Sequence, residues 1–448
     1  MPTDLADRVV HHRAIEAVIW GMPAVNYDLL YQAMARETKG GPNQVVYWSR
    51  LPDWKNQTLT PNPDTIYLLV FYNTKEAGPV VLEIPPAEGG SITGSVDDCW
   101  QTALEDVGPA GADSGQGGKY LITPPGYAGD TPDGTIHLPS SNYQGYALLR
   151  SILKSGSSAD IAAAVAYGKR VKFYPLSAAA NPPATIFLDA ADVVFDSTIP
   201  YDLRFFQSLD RMIQIEPWLD RDRVMIDVLK SIGIEKSKPF NPDAKTKAVL
   251  CAAVCEARDW LQTQYEKVFS PPFFEHTHWA LPASQEVLAG LQSQFADPNS
   301  YPVGGRGMTY SLAFFCAKRS GRGSYYLMAI DDRNGEPLSG DRAYRLHVPQ
   351  GVPVSQYWSA TAYDRATHAL IRDMPWPSRS SDFPGLRRNP DGSVDLWFGP
   401  EGPSGGDTNW IPTRAGGGFE MLFRFYGPQP ALFEKQGWTL PDVERWTV

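Results

Sequence analysis

The sequence predicts a mainly β protein whose two domains are joined by a helical connector. Three observations carry this expectation. The chain has 448 residues, more than one ordinary core uses, since domains commonly run to roughly 150 residues. Gly and Pro number 39 each and aromatic residues make up 12%, which fits many short strands broken by tight turns. The apolar period also changes from alternation to helical spacing at about residue 201, and back after about 270.

Taken in order, residues 1–40 read as N-terminal helices, with a kink or break at Gly21-Met22-Pro23 because proline cannot continue the backbone ladder. Residues 41–200 read as a β-sandwich-like domain. Short apolar or alternating runs lie at 66–72, 80–84, 91–96, 120–123, 135–138 and 146–150, separated by turn signals such as Glu88-Gly89-Gly90 and Asp133-Gly134. A small helix at 158–167 precedes strands at 171–174 and 185–188. Residues 201–270 form the helical connector, with helices at 203–213, 220–232 and 243–268 and with Pro217 and Pro239 as breakers. Residues 271–448 return to strands at 325–330, 343–348, 356–363, 369–372, 393–398 and 418–426. The polar connection at 375–388 is long enough to read as a loop over a site.

Composition excludes several classes. The net charge of −10 opposes a general phosphate-backbone binder, which needs a positive field, so no nucleic-acid partner is expected. No run of about 20 apolar residues is present, so no membrane span is expected. The N-terminal stretch lacks a basic start and a small-residue cleavage site, and the protein reads as cytoplasmic; a leader already removed would leave no trace. Cys99, Cys251, Cys255 and Cys316 form no disulfide framework, and Cys251 and Cys255 read as buried, reduced thiols one helical turn apart. No glycine-rich phosphate loop follows a strand, and no nucleophile elbow or kinase signature is present. No cofactor is expected.

The motifs carry a resemblance. The N-terminal half holds Pro61-Asn62-Pro63-Asp64-Thr65-Ile66-Tyr67, Asp98-Cys99-Trp100 and Gly117-Gly118-Lys119-Tyr120-Leu121-Ile122. The C-terminal half holds Asp332-Arg333-Asn334-Gly335-Glu336-Pro337-Leu338, Tyr344-Arg345-Leu346-His347-Val348-Pro349, Tyr357-Trp358-Ser359, Asn409-Trp410-Ile411-Pro412 and Arg424-Phe425-Tyr426-Gly427-Pro428. In this order they resemble bacterial proteins that pair domain of unknown function 1254 with domain of unknown function 1214, over nearly the whole chain. The resemblance implies an N-terminal β-domain, a helical connector and a C-terminal jelly-roll-like sandwich. It implies little chemistry.

Strand parity offers chemical candidates. Arg345 and His347 share one face of their strand, opposite Tyr344, Leu346 and Val348. Arg424 and Tyr426 likewise oppose Phe419, Met421, Phe423 and Phe425. If those polar faces meet, they form a cationic floor on which an arginine clamps negative charge and His347 moves a proton; otherwise they are solvated sheet faces. The two prolines around Asn62 stiffen a turn that delivers Asp64, a candidate general base, with Tyr67 as its hydrogen-bond partner. The plainer role for Asp64 is to cap that turn. His276 and His278 are two residues apart with Glu275 beside them, but no third metal ligand is evident, and a linker fits the segment better. His11 and His12 read as solvent-facing.

The expected function is an enzyme acting on a small organic molecule, a hydrolase or lyase, with an acid/base site between the two β domains. Asp64, His347, Arg345, Arg424 and Tyr67 are the expected catalytic residues, and Asn62, Trp100, Trp358, Asn409, Trp410 and Tyr426 the substrate-binding ones. The alternative is a non-catalytic protein binding a carbohydrate or hydrophobic ligand in an aromatic cleft. The partner is a small-molecule ligand in either case, and exposed edge strands allow a homodimer.

Overall fold

The computed structural model describes residues 4–314, 317–319, 321, 323–403, 408–435 and 437–446; Cys316 lies outside them. Many strands form several sheets, and helices contribute as much of the chain as strands do, at 28% against 25%.

The N-terminal half contains a six-stranded sheet in the order Phe187–Asp189, Gln44–Tyr47, Ile66–Asn73, Gln144–Ser151, Ile92–Asp98, Ala103–Val107. One face packs on a four-stranded sheet ordered Lys172–Pro175, Val80–Ile84, Gly118–Thr123, Thr135–Pro139, burying Val70, Leu82, Val96, Tyr120 and Leu149 between them. The other face, with Val46, Leu69 and Phe71, packs on helices. Both faces are therefore covered, and seven of the eight residues of Ile66–Asn73 are buried.

The N-terminal segment is one helix, Leu5–Glu37, capped by the Asp4 side chain, and it runs through Pro23 without a break. Proline removes the N–H that would bond the Ile19 carbonyl. That carbonyl is instead covered by Gly307, where a Cβ would sit only 2.7 Å from it. Gly307 belongs to helix Val303–Leu312, which the sequence reading did not foresee. Tertiary packing has overridden the expected break.

The helices at Leu203–Ile215, Met225–Ser231 and Ala244–Lys267 do more than connect. They surround the Leu5–Glu37 helix and share one core with it through Phe205, Leu209, Leu229, Leu250, Val254 and Leu261. His11 is buried there and bonds Glu256 at 2.8 Å, so it does not face solvent. Cys255 is exposed and Cys251 half-buried, not buried as expected.

The C-terminal half has two facing four-stranded sheets. One is ordered Ser324–Ala329, Phe419–Tyr426, Trp358–Asp364, Ser378–Ser380, the other Trp410–Pro412, Val394–Gly399, Tyr344–Val348, Glu444–Arg445. Leu346, Leu396, Phe398, Phe419, Met421, Phe423 and Phe425 fill the space between them. The stretch at 375–388 supplies the edge strand Ser378–Ser380 rather than a free loop. Residues 369–372 form only an isolated bridge, Tyr363 with Leu370. The outer face of the first sheet does not meet water: Met328, Tyr363 and Leu422 join the core that holds Leu69 and the long helix.

Candidate functional site

The turn before Ile66–Asn73 is driven into the C-terminal half. Asn62 is fully buried; its Oδ1 accepts the N–H of Asp64 at 3.0 Å, so the side chain that caps this turn is Asn62 and not Asp64. Its Nδ2 donates to the Tyr357 hydroxyl at 2.9 Å and the Tyr426 hydroxyl at 2.8 Å, while its backbone N–H donates to the Tyr67 hydroxyl at 2.8 Å. Thr60 just before it has a φ of +39°, a strained conformation for a β-branched residue. The turn so held aims the Thr60 and Pro61 carbonyls at Arg424, which donates to them at 2.9 and 3.1 Å and to Thr361 at 2.9 Å.

Asp64 accepts the Ser378 hydroxyl at 2.9 and 3.0 Å. Burial pushes its carboxyl up to about 6, against the pull of Ser378, Arg424 and Arg379. It is part of the wall between the halves and lines none of the cavities described next.

Three small adjoining cavities lie where the halves meet, with volumes of about 40, 40 and 80 Å³. Arg150, from Gln144–Ser151, lines all three. Tyr326 lines two of them and stands opposite Arg424 in the strand register. Its hydroxyl receives the Ser324 hydroxyl at 2.9 Å and lies 3.5 Å from that of Tyr426. Arg424 is 5.5 Å from the Tyr326 ring centre, and Arg150 is 5.3 Å from that of Tyr67. Burial pushes the Tyr326 phenol up, but Arg150 and Arg424 outweigh it and hold the group below its ordinary value of 10.0. The Tyr426 phenol is held well above that value, first by burial and then by Tyr326. A phenol set between two guanidiniums can release and recover a proton.

The structure thus brings together Asn62, Asp64, Tyr67, Arg424 and Tyr426, and adds Arg150 and Tyr326, which the sequence reading missed. Tyr326 had a legible signal. It shares a face with Ser324 and Met328, and the strand that lies beside it was already expected to present Arg424. Arg150 had only its parity with Leu148 to mark it.

Other expected site residues lie elsewhere. Arg345 pairs with Glu444, and His347 bonds Asp395 at 2.8 Å. Parity placed both on the polar face of Tyr344–Val348, as observed. That strand, however, lies in the second sheet of the pair, so its polar face points away from the face bearing Arg424. Trp358 is in the core between the sheets, stacked on Phe423. Trp100 is packed on Trp20 with centroids 4.6 Å apart. Asn409 bonds Arg387 and the Asp395 carbonyl, and the Trp410 indole bonds the Gly399 carbonyl, so both stitch the second sheet. His278 bonds Asp442 at 2.7 Å, and among the described residues no three His, Cys, Asp or Glu side chains are grouped to hold a metal. No helix among them is long and apolar enough to cross a membrane.

Comparison with known proteins places the two halves. Residues 42–175 match the family described as protein of unknown function (DUF1254), and residues 323–430 match protein of unknown function (DUF1214). Among solved structures, the chain resembles the VPA0106 protein from Vibrio parahaemolyticus at 16% identity and a TM-score of 0.58, covering 98% of this chain and 100% of that one. An uncharacterized protein from Burkholderia cenocepacia aligns at 11% identity and a TM-score of 0.39, covering 98% of this chain and 94% of the other. The first likeness bears on the fold alone. No match is found among curated proteins.

Proposed function

Starting from a chain that belongs to the family pairing DUF1254 with DUF1214, neither half of which is named for an activity, we propose that this protein is an enzyme with its acid/base site in the cavity between the halves. The reaction is a hydrolysis or an elimination on a small organic molecule, and the C-terminal half that carries Tyr326 is read as a jelly-roll-like sandwich. One observation carries this: the Tyr326 phenol faces the cavity while Arg150 and Arg424 act on it together. As phenolate, Tyr326 takes a proton from water or from an acidic carbon; as phenol, it returns the proton to the leaving group. Arg424, locked to the Thr60 and Pro61 carbonyls, is the fixed charge that favours the phenolate. Arg150 faces the bound molecule.

Asp64, Asn62 and Tyr67 act in this scheme as positioning residues, because they fix the turn that fixes Arg424. Turnover of an ester, lactone and glycoside panel, extended to elimination substrates, tests the proposal. Tyr326→Phe is expected to lower kcat by about 100- to 10,000-fold with the melting temperature retained. Wild-type kcat/KM is expected to rise with pH along the Tyr326 ionisation, which the variant lacks. Full activity in Tyr326→Phe contradicts the proposal. Saturable ligand binding without turnover instead favours a binding protein, a reading supported by the apolar lining that Leu30, Trp48, Leu59, Leu69 and Phe314 give the cavity.

A further inference from the structure

We infer that the cavity is built for an organic monoanion with an apolar body, a monocarboxylate whose head sits on Arg150. This rests on the reading of the cavity as the functional site and names the class of molecule it takes. A guanidinium carries five N–H donors and a permanent charge. Arg150 lies at the junction of all three cavities, yet its Nε is buried without a hydrogen-bond partner. Among the described residues it forms no ion pair with a carboxylate; the groups acting on it most strongly are the Tyr326, Tyr67 and Tyr426 phenols. The residue is half-buried, and a guanidinium partly removed from water without a countercharge favours an anionic partner.

The second cation cannot be the receptor, because Arg424 is committed to neutral acceptors, Thr60, Pro61, Thr361 and Tyr363. The neighbouring carboxylate, Asp64, is engaged by Ser378 behind the cavity wall. The cavity therefore holds positive charge on a guanidinium whose neighbours, Tyr67 among them, are neutral phenols, and a planar, single-charge head such as a carboxylate fits it. The body has its own place. Leu30, Trp48, Leu59, Leu69 and Phe314 line the small lobe that opens on the same guanidinium, an apolar surface suited to a ring edge or short alkyl chain. The arm on the other side is edged by Thr93, Ser95 and Ser324 and gives a polar way in.

Calorimetric titration of the full chain with benzoate, phenylacetate and hexanoate, each against its neutral amide, tests this. At least one acid is expected to bind about 10- to 100-fold more tightly than its amide, the range of one charge-assisted contact. Arg150→Met is expected to abolish that preference, and Arg150→Lys to retain only part of it, since an ammonium lacks the planar fork. Tyr326→Phe is expected to bind the acid still. The inference is overturned if no acid outbinds its amide in the wild-type protein, or if a folded Arg150→Met keeps the preference. Acid binding at Arg150 with no turnover by the wild type supports this inference while removing the catalytic one.

Discussion

Asp64 shows how one residue can be legible in kind and misjudged in role. The Asn62-Pro63-Asp64 turn was readable because proline and Asx side chains act locally, within two or three residues. That Asp64 ends against Ser378 depends on a strand more than three hundred positions away, and no local signal reports it. Arg150 and Tyr326 were missed for a related reason: one charge or phenol in a strand has the same pattern whether it faces a cavity or solvent. The raised Asp64 carboxyl gives a pH prediction. Its folded value, about 6, lies above the ordinary 3.8, so the folded state holds the proton more tightly than the unfolded state. Stability is therefore highest below about pH 4 for this group, falls as pH rises to about 6, and then levels. Asp64→Asn keeps an acceptor for Ser378 and removes the charge. Urea unfolding should show the variant gaining up to about 3 kcal/mol over wild type at pH 8 and nothing at pH 4. An equal loss at both pH values would mean that the charge itself stabilises the turn.

Among elements, the strands at Tyr344–Val348 and Phe419–Tyr426 show what parity can and cannot supply. It divided each strand correctly into an apolar and a polar face. It could not say that the two strands lie in the two facing sheets, where apolar faces meet inside and polar faces point apart. Edge strands of three residues, Ser378–Ser380 and Trp410–Pro412, are too short to show alternation and were invisible. The long helix was visible, but its passage through Pro23 was not, because Gly307 lies far along the chain. The placement of the two strands in facing sheets predicts that Arg345→Ala and His347→Ala leave both activity and ligand binding unchanged. Each should also shift unfolding free energy by no more than about 1 kcal/mol, as part-exposed ion pairs do. By contrast, Trp358→Ala should cost about 3–5 kcal/mol. Loss of activity in a folded His347→Ala protein would move the site to the outer face of the second sheet.

At the level of the whole molecule, the two halves are joined by more than a tether. Leu69 and Trp48 from one half, Met328, Tyr363 and Leu422 from the other, and the long helix contribute to a single core. The change of apolar period announced the halves and the helices; the burial of one sheet's polar face against the other half needed the assembled fold. The site exists only in that assembly, since Arg150 comes from the N-terminal half and Tyr326 and Arg424 from the C-terminal half. The most direct test is therefore a pH titration by NMR of the protein carrying 13C at tyrosine Cζ, with Tyr326→Phe and Arg150→Met alongside. A resonance lost in Tyr326→Phe should titrate below 10.0, and its midpoint should rise in Arg150→Met. A Tyr326 signal that titrates at or above 10.0, unchanged when Arg150 is removed, would contradict the account.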